Sequence, residues 1–495
     1  MHWTGASIFA RFRFRLLACA TFSLLTFCYL LLPTPWTFRQ PESSHGEQQI
    51  TPHDGYSHEG LAAEADRDLS LPTVYGIQIA GGTASQECEA SFGVDYLRAF
   101  GKTATQYCNV SSASGMLCLS NSIDGGKLDS FCLGGPAKVD HDYHMISVEC
   151  ALRRLTNEER SSRVPAFESF PQYWYGTGPR AIFQSFVKLE GMPATVDQAE
   201  SRQAKYSLLV KREANNNNMW HEMMEIMSLT MSLDVLRITT DTITGRPLYT
   251  DEDRAKTQVV LLDNLADGPF FDLWQMTAGL PTIRLNGTTA ETSELGQILV
   301  PLPGGSNPFW SCDWKELACG RSALLGAFSS RVLDFYQIQQ DQQTYDRPLT
   351  VTFIERQKKR RLLHRAEYVA RVQEQHPDIK IVLVDYASLP FSEQIRVTHA
   401  TDILVGVHGA GLTHGMFLPP KSVIVEILPP TLNHKGFQNM AHFLGHEHVG
   451  VHSNKREGAD VSGDWQQDDV FLDETVFVEL MDKAIAAARV ARNPS

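Results

Sequence analysis

The sequence predicts an α/β protein, with two domains built on parallel sheets that face each other across a cleft, following an N-terminal apolar span. Three observations predict it. From Val351 onward short apolar strands alternate regularly with helices. A looser alternation of the same kind begins past Ala151. The uncharged run from Leu16 to Leu32 follows Arg11, Arg13 and Arg15. A chain of 495 residues, 43% hydrophobic and 20% charged, is long enough for more than one folded core. Its formal net charge of -13 speaks against a general nucleic-acid binder, which presents a basic stripe.

The apolar run LLACATFSLLTFCYLLL (16–32) is at the short end of what spans a bilayer. Its positive flank leaves residues 1–15 in the cytosol and the rest in the lumen, the topology of a type II membrane protein of the secretory pathway. A cleaved signal peptide competes with this reading, although Pro33, Thr34 and Pro35 make a poor cleavage site. Residues 33–75 are polar and turn-rich and read as a stem, and 76–150, rich in Cys and Gly, as an irregular disulfide-bonded region.

Of the nine cysteines, Cys19 and Cys28 fall in the span. Cys88, Cys108, Cys118, Cys132, Cys150, Cys312 and Cys319 lie beyond it, with no Cys-x-x-Cys pair, so disulfides fit better than zinc. Their odd number leaves at least one thiol free or bonded to another chain. Cys312 and Cys319 are expected to close a small loop. Asn109 and Asn286 each open an N-glycosylation sequon.

Residues 151–345 form the first expected α/β domain, with strands at YSLLVKR (206–212) and TQVVLLD (257–263) and a long helix over 219–236. Residues 346–495 form the second, with strands VTFIER (351–356), IKIVLVD (379–385), TDILVGV (401–407) and SVIVEIL (422–428), helices between them and a last helix over about 473–492. Ligands of such sheets sit beyond the C-terminal strand ends, so the candidate residues belong in those loops.

Five segments there carry possible chemistry. In VHGAGLTHGMFLPP (407–420), Gly409 and Gly411 allow a tight turn and close approach to a phosphate, with His408 at the strand end; the same glycines can equally serve helix packing. The basic cluster after strand 351–356 suits a diphosphate, with Arg356 and Arg361 as the expected functional pair and the others solvated. Glu426 is a carboxylate inside an apolar strand, placed to accept from ribose hydroxyls or to form a structural salt bridge. His221-Glu-Met-Met-Glu225 lacks the second histidine of a zinc-hydrolase helix, which leaves His221 to position or deprotonate an acceptor hydroxyl, or to be a core histidine. The loop from Asp263 through Asp267 to Trp274 can wall a sugar site or pack a core. No convincing cluster of hard oxygen ligands stands out in the sequence, so no metal site and no divalent-metal requirement is expected.

NMWHEMMEIM (218–227), VVLLDNLADGPFFDLW (259–274), the FIER…RR pattern (353–361) and TDILVGVHGAGLTHGMFLPPKSVIVEILP (401–429) together resemble glycosyltransferase family 61. The resemblance covers roughly 150–490. It implies a GT-B fold, inversion at the anomeric carbon, and a nucleotide sugar held by Arg356, Arg361, His408, Gly409, Ala410, Gly411 and Glu426. His221 and Glu222 would face the acceptor. It implies no cofactor beyond a donor such as UDP-GlcNAc, and a secretory glycoprotein or glycan as acceptor; other family members donate xylose or arabinose. Because the sequence ends in Ala-Arg-Asn-Pro-Ser and not in an endoplasmic-reticulum retention tetrapeptide, the expected location is the Golgi membrane.

Overall fold

A computed structural model of the protein describes residues 71–79, 85–123, 127–191, 204–288, 293–339, 347–456, 458 and 461–492. All belong to one compact unit, Arg67–Ser495. Two sheets organise it. The first has nine strands: β1 (Thr105–Gln106), β2 (Gly115–Ile123), β3 (Lys127–Asp140), β4 (Met145–Val148), β5 (Val187–Leu189), β6 (Tyr206–Val210), β7 (Thr257–Leu261), β8 (Ile283–Arg284) and β9 (Glu294–Val300). Their order is β1-β2-β3-β9-β6-β7-β8, with β4 and β5 branching from β3. The run β9-β6-β7-β8 is parallel.

The second sheet contains β10 (Thr350–Ile354), β11 (Lys380–Val384), β12 (Ile403–Val407), β13 (Val423–Leu428) and β14 (Glu447–His452) in the order β11-β10-β12-β13-β14. Every pairing is parallel. The strand order reverses between β10 and β12. At such a point the loops leaving two neighbouring strands run to opposite faces and open a crevice beyond the strand ends. Arg356 follows β10 and His408 follows β12, so the fold brings both to this crevice.

Buried parallel strands read as unbroken apolar runs, which is why β12 and β13 are entirely buried. The helix Met219–Ile238 is apolar on nearly every side and lies in the core. Asn218 caps it by accepting from Trp220 N at 3.1 Å. Its polar positions are satisfied internally: Ser232 Oγ accepts from Leu302 N at 2.9 Å, and Asn307 donates to Ser228 Oγ at 3.2 Å. This helix shares one hydrophobic cluster with Ile354, Leu404 and Ile424 of the second sheet, so the two sheets close around common apolar contacts and leave polar groups at the strand ends. The helix Glu474–Arg492 buries Phe477, Leu480, Met481, Ala484, Ile485 and Ala488 against the second sheet.

Two sequence expectations change, and one region is more regular than expected. The α/β fold with two sheets, consistent with a GT-B arrangement, stands. The membrane span does not: among the described residues no helix is long and apolar enough to cross a bilayer. The long helix Met219–Ile238 carries Glu222, Glu225, Asp234 and Arg237, which serve tertiary contacts. The segment 16–32 lies outside the described residues. The single-helix anchor, the membrane as partner, the type II topology and the Golgi-membrane location are therefore withdrawn. The region 76–150 is not irregular, since β2 and β3 pair along their lengths and β3 joins β9.

The second change is in the cysteines. Cys88 bonds Cys319, Cys108 bonds Cys150 and Cys118 bonds Cys132, while Cys312 is a buried free thiol. The expected Cys312–Cys319 loop is absent because the helix Gln86–Phe92 packs beside Cys319 and presents Cys88 to it. The Cys88–Cys319 bond spans 231 residues of sequence, and a closure of that length removes much of the unfolded chain's freedom. The Cys88→Ser, Cys319→Ser double variant is expected to lose about 3–5 kcal/mol in denaturant unfolding. An unchanged midpoint would mean that the core alone fixes this helix.

Candidate active site

One half of the site is built at the crevice. Gly409 has φ 139°, and a Cβ there would come within 2.5 Å of both Arg356 Nη2 and Arg360 Nη1. Only a residue without a side chain lets two guanidiniums close on this turn. Arg360 Nη1 donates to the His408 carbonyl at 3.0 Å, and Arg356 Nη2 approaches the same oxygen at 3.4 Å. The Nε of each is buried without an acceptor among the described residues. Burial, with Arg360 beside it, lowers the Arg356 pKa to about 10, and burial also lowers that of Arg360. Two half-buried cations held side by side with spare donors form a site for a doubly charged anion.

Arg361 is not part of it. Its side chain is half exposed and pairs with Asp469, Nη2 to Oδ2 at 2.5 Å. The physical reason lies at Arg360, whose φ of 53° turns the backbone so that Arg360 points inward and Arg361 outward. The sequence carried the signal, a guanidinium four residues past Arg356, but not the turn.

His408 is buried with Nδ1 2.6 Å from Glu426 Oε1, and His448 Nε2 lies 2.9 Å from Glu426 Oε2. Both carboxylate oxygens thus meet imidazoles. Burial would raise the Glu426 pKa, but the two histidine hydrogen bonds override it and hold the carboxyl at about 2. Around the His408 ring stand His434 at 4.7 Å, Phe437 at 5.4 Å and Trp465 at 5.5 Å between centroids. Ala410 and Gly411 continue the turn, half-buried, with Gly411 packed close to Ile354.

The facing half rises from the start of helix Met219–Ile238. His221 Nδ1 is 2.7 Å from Glu213 Oε2, just past β6, so this carboxylate orients the ring and leaves Nε2 for a ligand. Trp310 and Tyr175 wall the imidazole at 4.5 and 5.3 Å between centroids. Burial raises the Glu213 pKa, and His221 pulls it back. Glu225 closes the back of this group, its carboxylate accepting from Glu213 N at 3.2 Å. Asp313, buried, stands in the fields of His434, His408 and His221 together, which ties the two halves into one site.

Glu222 turns the other way. Its Oε1 accepts from Trp274 Nε1 at 2.8 Å, and burial pushes its carboxyl up to about 7. Trp274 itself is a core side chain. Asp263 pairs with the buried Arg212, Nη2 to Oδ1 at 2.8 Å, and Asp267 pairs with Arg284. The structure brings Arg356, His408, Gly409 and Glu426 together at the crevice and links His221 to them through Asp313, while Glu222 and Trp274 pair with each other, Arg361 with Asp469, Asp263 with Arg212 and Asp267 with Arg284. Asn109 and Asn286 are exposed. Sequence reasoning missed Glu213, Arg360, Asp313, His434 and His448, whose relevance depends on contacts between distant segments.

The family description Glycosyltransferase 61 matches residues 219–425, which include His221, Arg356, Arg360, His408 and Gly409. The chain is 39% identical over 111 residues to the EGF domain-specific O-linked N-acetylglucosamine transferase of Gallus gallus, covering 22% of this chain and 21% of that protein. The Drosophila melanogaster protein of the same name is 28% identical over 214 residues, covering 42% of this chain and 38% of its own length. The chain thus spans well under half the length of these relatives. Among solved structures, a glycosyl transferase family 9 protein from Veillonella parvula DSM 2008 covers 60% of this chain and 99% of its own, at 9% identity and a TM-score of 0.25, a likeness too low to carry an argument. Through residues 219–425, which include His221, Arg356, Arg360, His408 and Gly409, the chain is similar to the glycosyltransferase 61 family.

Proposed function

We propose that the protein is an inverting, UDP-sugar-dependent glycosyltransferase that moves N-acetylglucosamine from UDP-GlcNAc to a Ser or Thr hydroxyl of a secretory protein. One observation carries the reading: Arg356 and Arg360 converge on the Gly409 turn at the strand-order reversal, and Asp313 lies in the fields of both His408 beside that turn and His221, an imidazole oriented by a carboxylate. The two guanidiniums suit a diphosphate, whose charge grows as the sugar leaves. His221 Nε2 suits an acceptor hydroxyl, whose proton it takes as the oxygen attacks the anomeric carbon. A single base and a separate leaving-group site describe inversion in one displacement. The named donor and acceptor follow the relatives, which are N-acetylglucosamine transferases acting on EGF domains.

Purified protein is incubated with a panel of UDP sugars and folded or unfolded Ser/Thr-containing acceptors, with UDP release and acceptor mass both followed. The expected result is UDP release with UDP-GlcNAc and a mass gain of one N-acetylhexosamine on the acceptor. Absence of UDP release with every donor would overturn the reading, and preference for a UDP pentose would replace the sugar.

A further inference from the structure

Glu426 lies in the middle of β13, opposite Gly406 of β12 on one side and Gly450 of β14 on the other. A Cβ at Gly450 would lie 3.0 Å from His448 Cε1, so the bare position lets the His448 ring lean toward the carboxylate. His408 reaches the other oxygen from the end of β12. The carboxylate is 1% exposed, and a ribose could reach it only by displacing one of the two imidazoles. His408 Nδ1 is committed to Glu426, which leaves Nε2 as the ring's other polar atom. The carbonyl of the same residue receives Arg360 and Arg356.

We propose that Glu426, braced by His448, is a positioning residue that holds His408 with Nε2 toward the leaving diphosphate, making His408 the third cationic contact beside Arg356 and Arg360. The inference rests on the glycosyltransferase reading above and gives Glu426 a role through His408 in place of the ribose. The groups around His408 are Glu426 from β13, Arg356 and Arg360 from the loop after β10, His434 from the loop after β13, and Asp313, with His448 on the far oxygen of Glu426. Burial, His434 and Arg360 keep the imidazole neutral in the free protein, while Glu426 draws its pKa upward. An arriving diphosphate adds negative charge at Nε2, and the ring takes a proton from solvent.

In the transfer the anomeric C–O bond breaks with its electron pair going to the β-phosphate oxygen. The acceptor oxygen bonds the anomeric carbon, and its proton passes to His221. His408 keeps its own proton and lends the Nε2–H hydrogen bond and charge.

The test compares wild type, Glu426→Gln, His448→Leu and His448→Gln. Proton uptake on binding UDP, read by calorimetry in buffers of different ionisation heat near neutral pH, needs no turnover. Wild type is expected to take up a proton and Glu426→Gln to lose that uptake. In steady state Glu426→Gln should lower kcat about 10²-fold with donor KM little changed. His448→Leu should lower kcat about tenfold, and His448→Gln, whose amide still donates to Oε2, should restore most of it. Equal proton uptake in wild type and Glu426→Gln would overturn the proposal. So would a raised donor KM at constant kcat together with lost discrimination between UDP and 2′-deoxy-UDP, which is the signature of a ribose ligand. If Glu426→Gln fails to fold, the His448 pair decides by the same uptake measurement. A wild type that binds UDP with proton uptake yet releases none from any UDP sugar would sink the transferase reading while leaving the brace standing.

Discussion

Arg356→Ala is expected to lower turnover about 10²-fold while circular dichroism and melting stay near wild type. Breaking the sugar–phosphate bond puts negative charge on the departing UDP, so a fixed cation near the β-phosphate stabilises the transition state more than the ground state. Removing one such group costs about 3 kcal/mol. Arg356 is held for this by position: it leaves β10 at the strand-order reversal, beside a turn whose Gly409 admits two guanidiniums. Its loss also relieves repulsion with Arg360, so the melting temperature is expected to hold. Arg360→Ala should act in the same direction, and Gly409→Ala should mimic both by pushing the guanidiniums aside. Lys358→Ala and Arg361→Ala are the controls, since Lys358 is exposed and Arg361 is paired with Asp469. Rates within twofold of wild type for Arg356→Ala, at saturating and at limiting donor, would remove the arginine from the diphosphate site. A loss as large in Arg361→Ala would move the site to the outer face.

His221→Ala should cost about 10²-fold or more in kcat, because a positioned base contributes about 10²–10⁴-fold to transfers of this kind. Glu213→Gln is expected to give a smaller loss with a distinct pH signature. The carboxylate must be ionised to orient Nδ1–H and to stabilise the imidazolium that forms. Burial raises its pKa above the ordinary glutamate value, and His221 only partly reverses this. Activity is therefore present above that raised pKa and lost as pH falls through it, with the acid limb belonging to the His221–Glu213 pair as a unit. In Glu213→Gln that limb should shift, whereas Glu222→Gln should shift it less, because Glu222 hydrogen-bonds Trp274 and feels Glu213 only through its field. An acid limb that moves with Glu222 and not with Glu213 would reassign the base's partner.

The second sheet was the most legible part of the fold. The apolar runs 351–356, 379–385, 401–407 and 422–428 correspond to β10, β11, β12 and β13 within a residue or two. A buried parallel strand has no polar face, so β10, β12 and β13 are continuous apolar blocks, while β11 at the sheet edge is partly exposed. The antiparallel pair β2 and β3 was not legible. Its Gly, Ser and Cys positions blur the two-residue alternation, and its long partner β9 lies far along the chain. The disulfides failed for a related reason: Cys319 is near Cys312 in sequence and near Cys88 in space.

The sequence by itself determined that this protein has two α/β sheets, a glycine turn after one strand and basic residues after its neighbour, because these are properties of contiguous residues. Only the tertiary structure decided which side chains meet. The left-handed backbone at Arg360 exchanged Arg361 for Arg360. The strand order placed Glu426 between His408 and His448 and not in the open cleft. The helix phase sent Glu222 to Trp274 and gave His221 to Glu213. Each of these choices turns on a single dihedral or on pairing between strands distant in sequence, and a shift of one residue along a helix or past a turn points the next side chain to a different face.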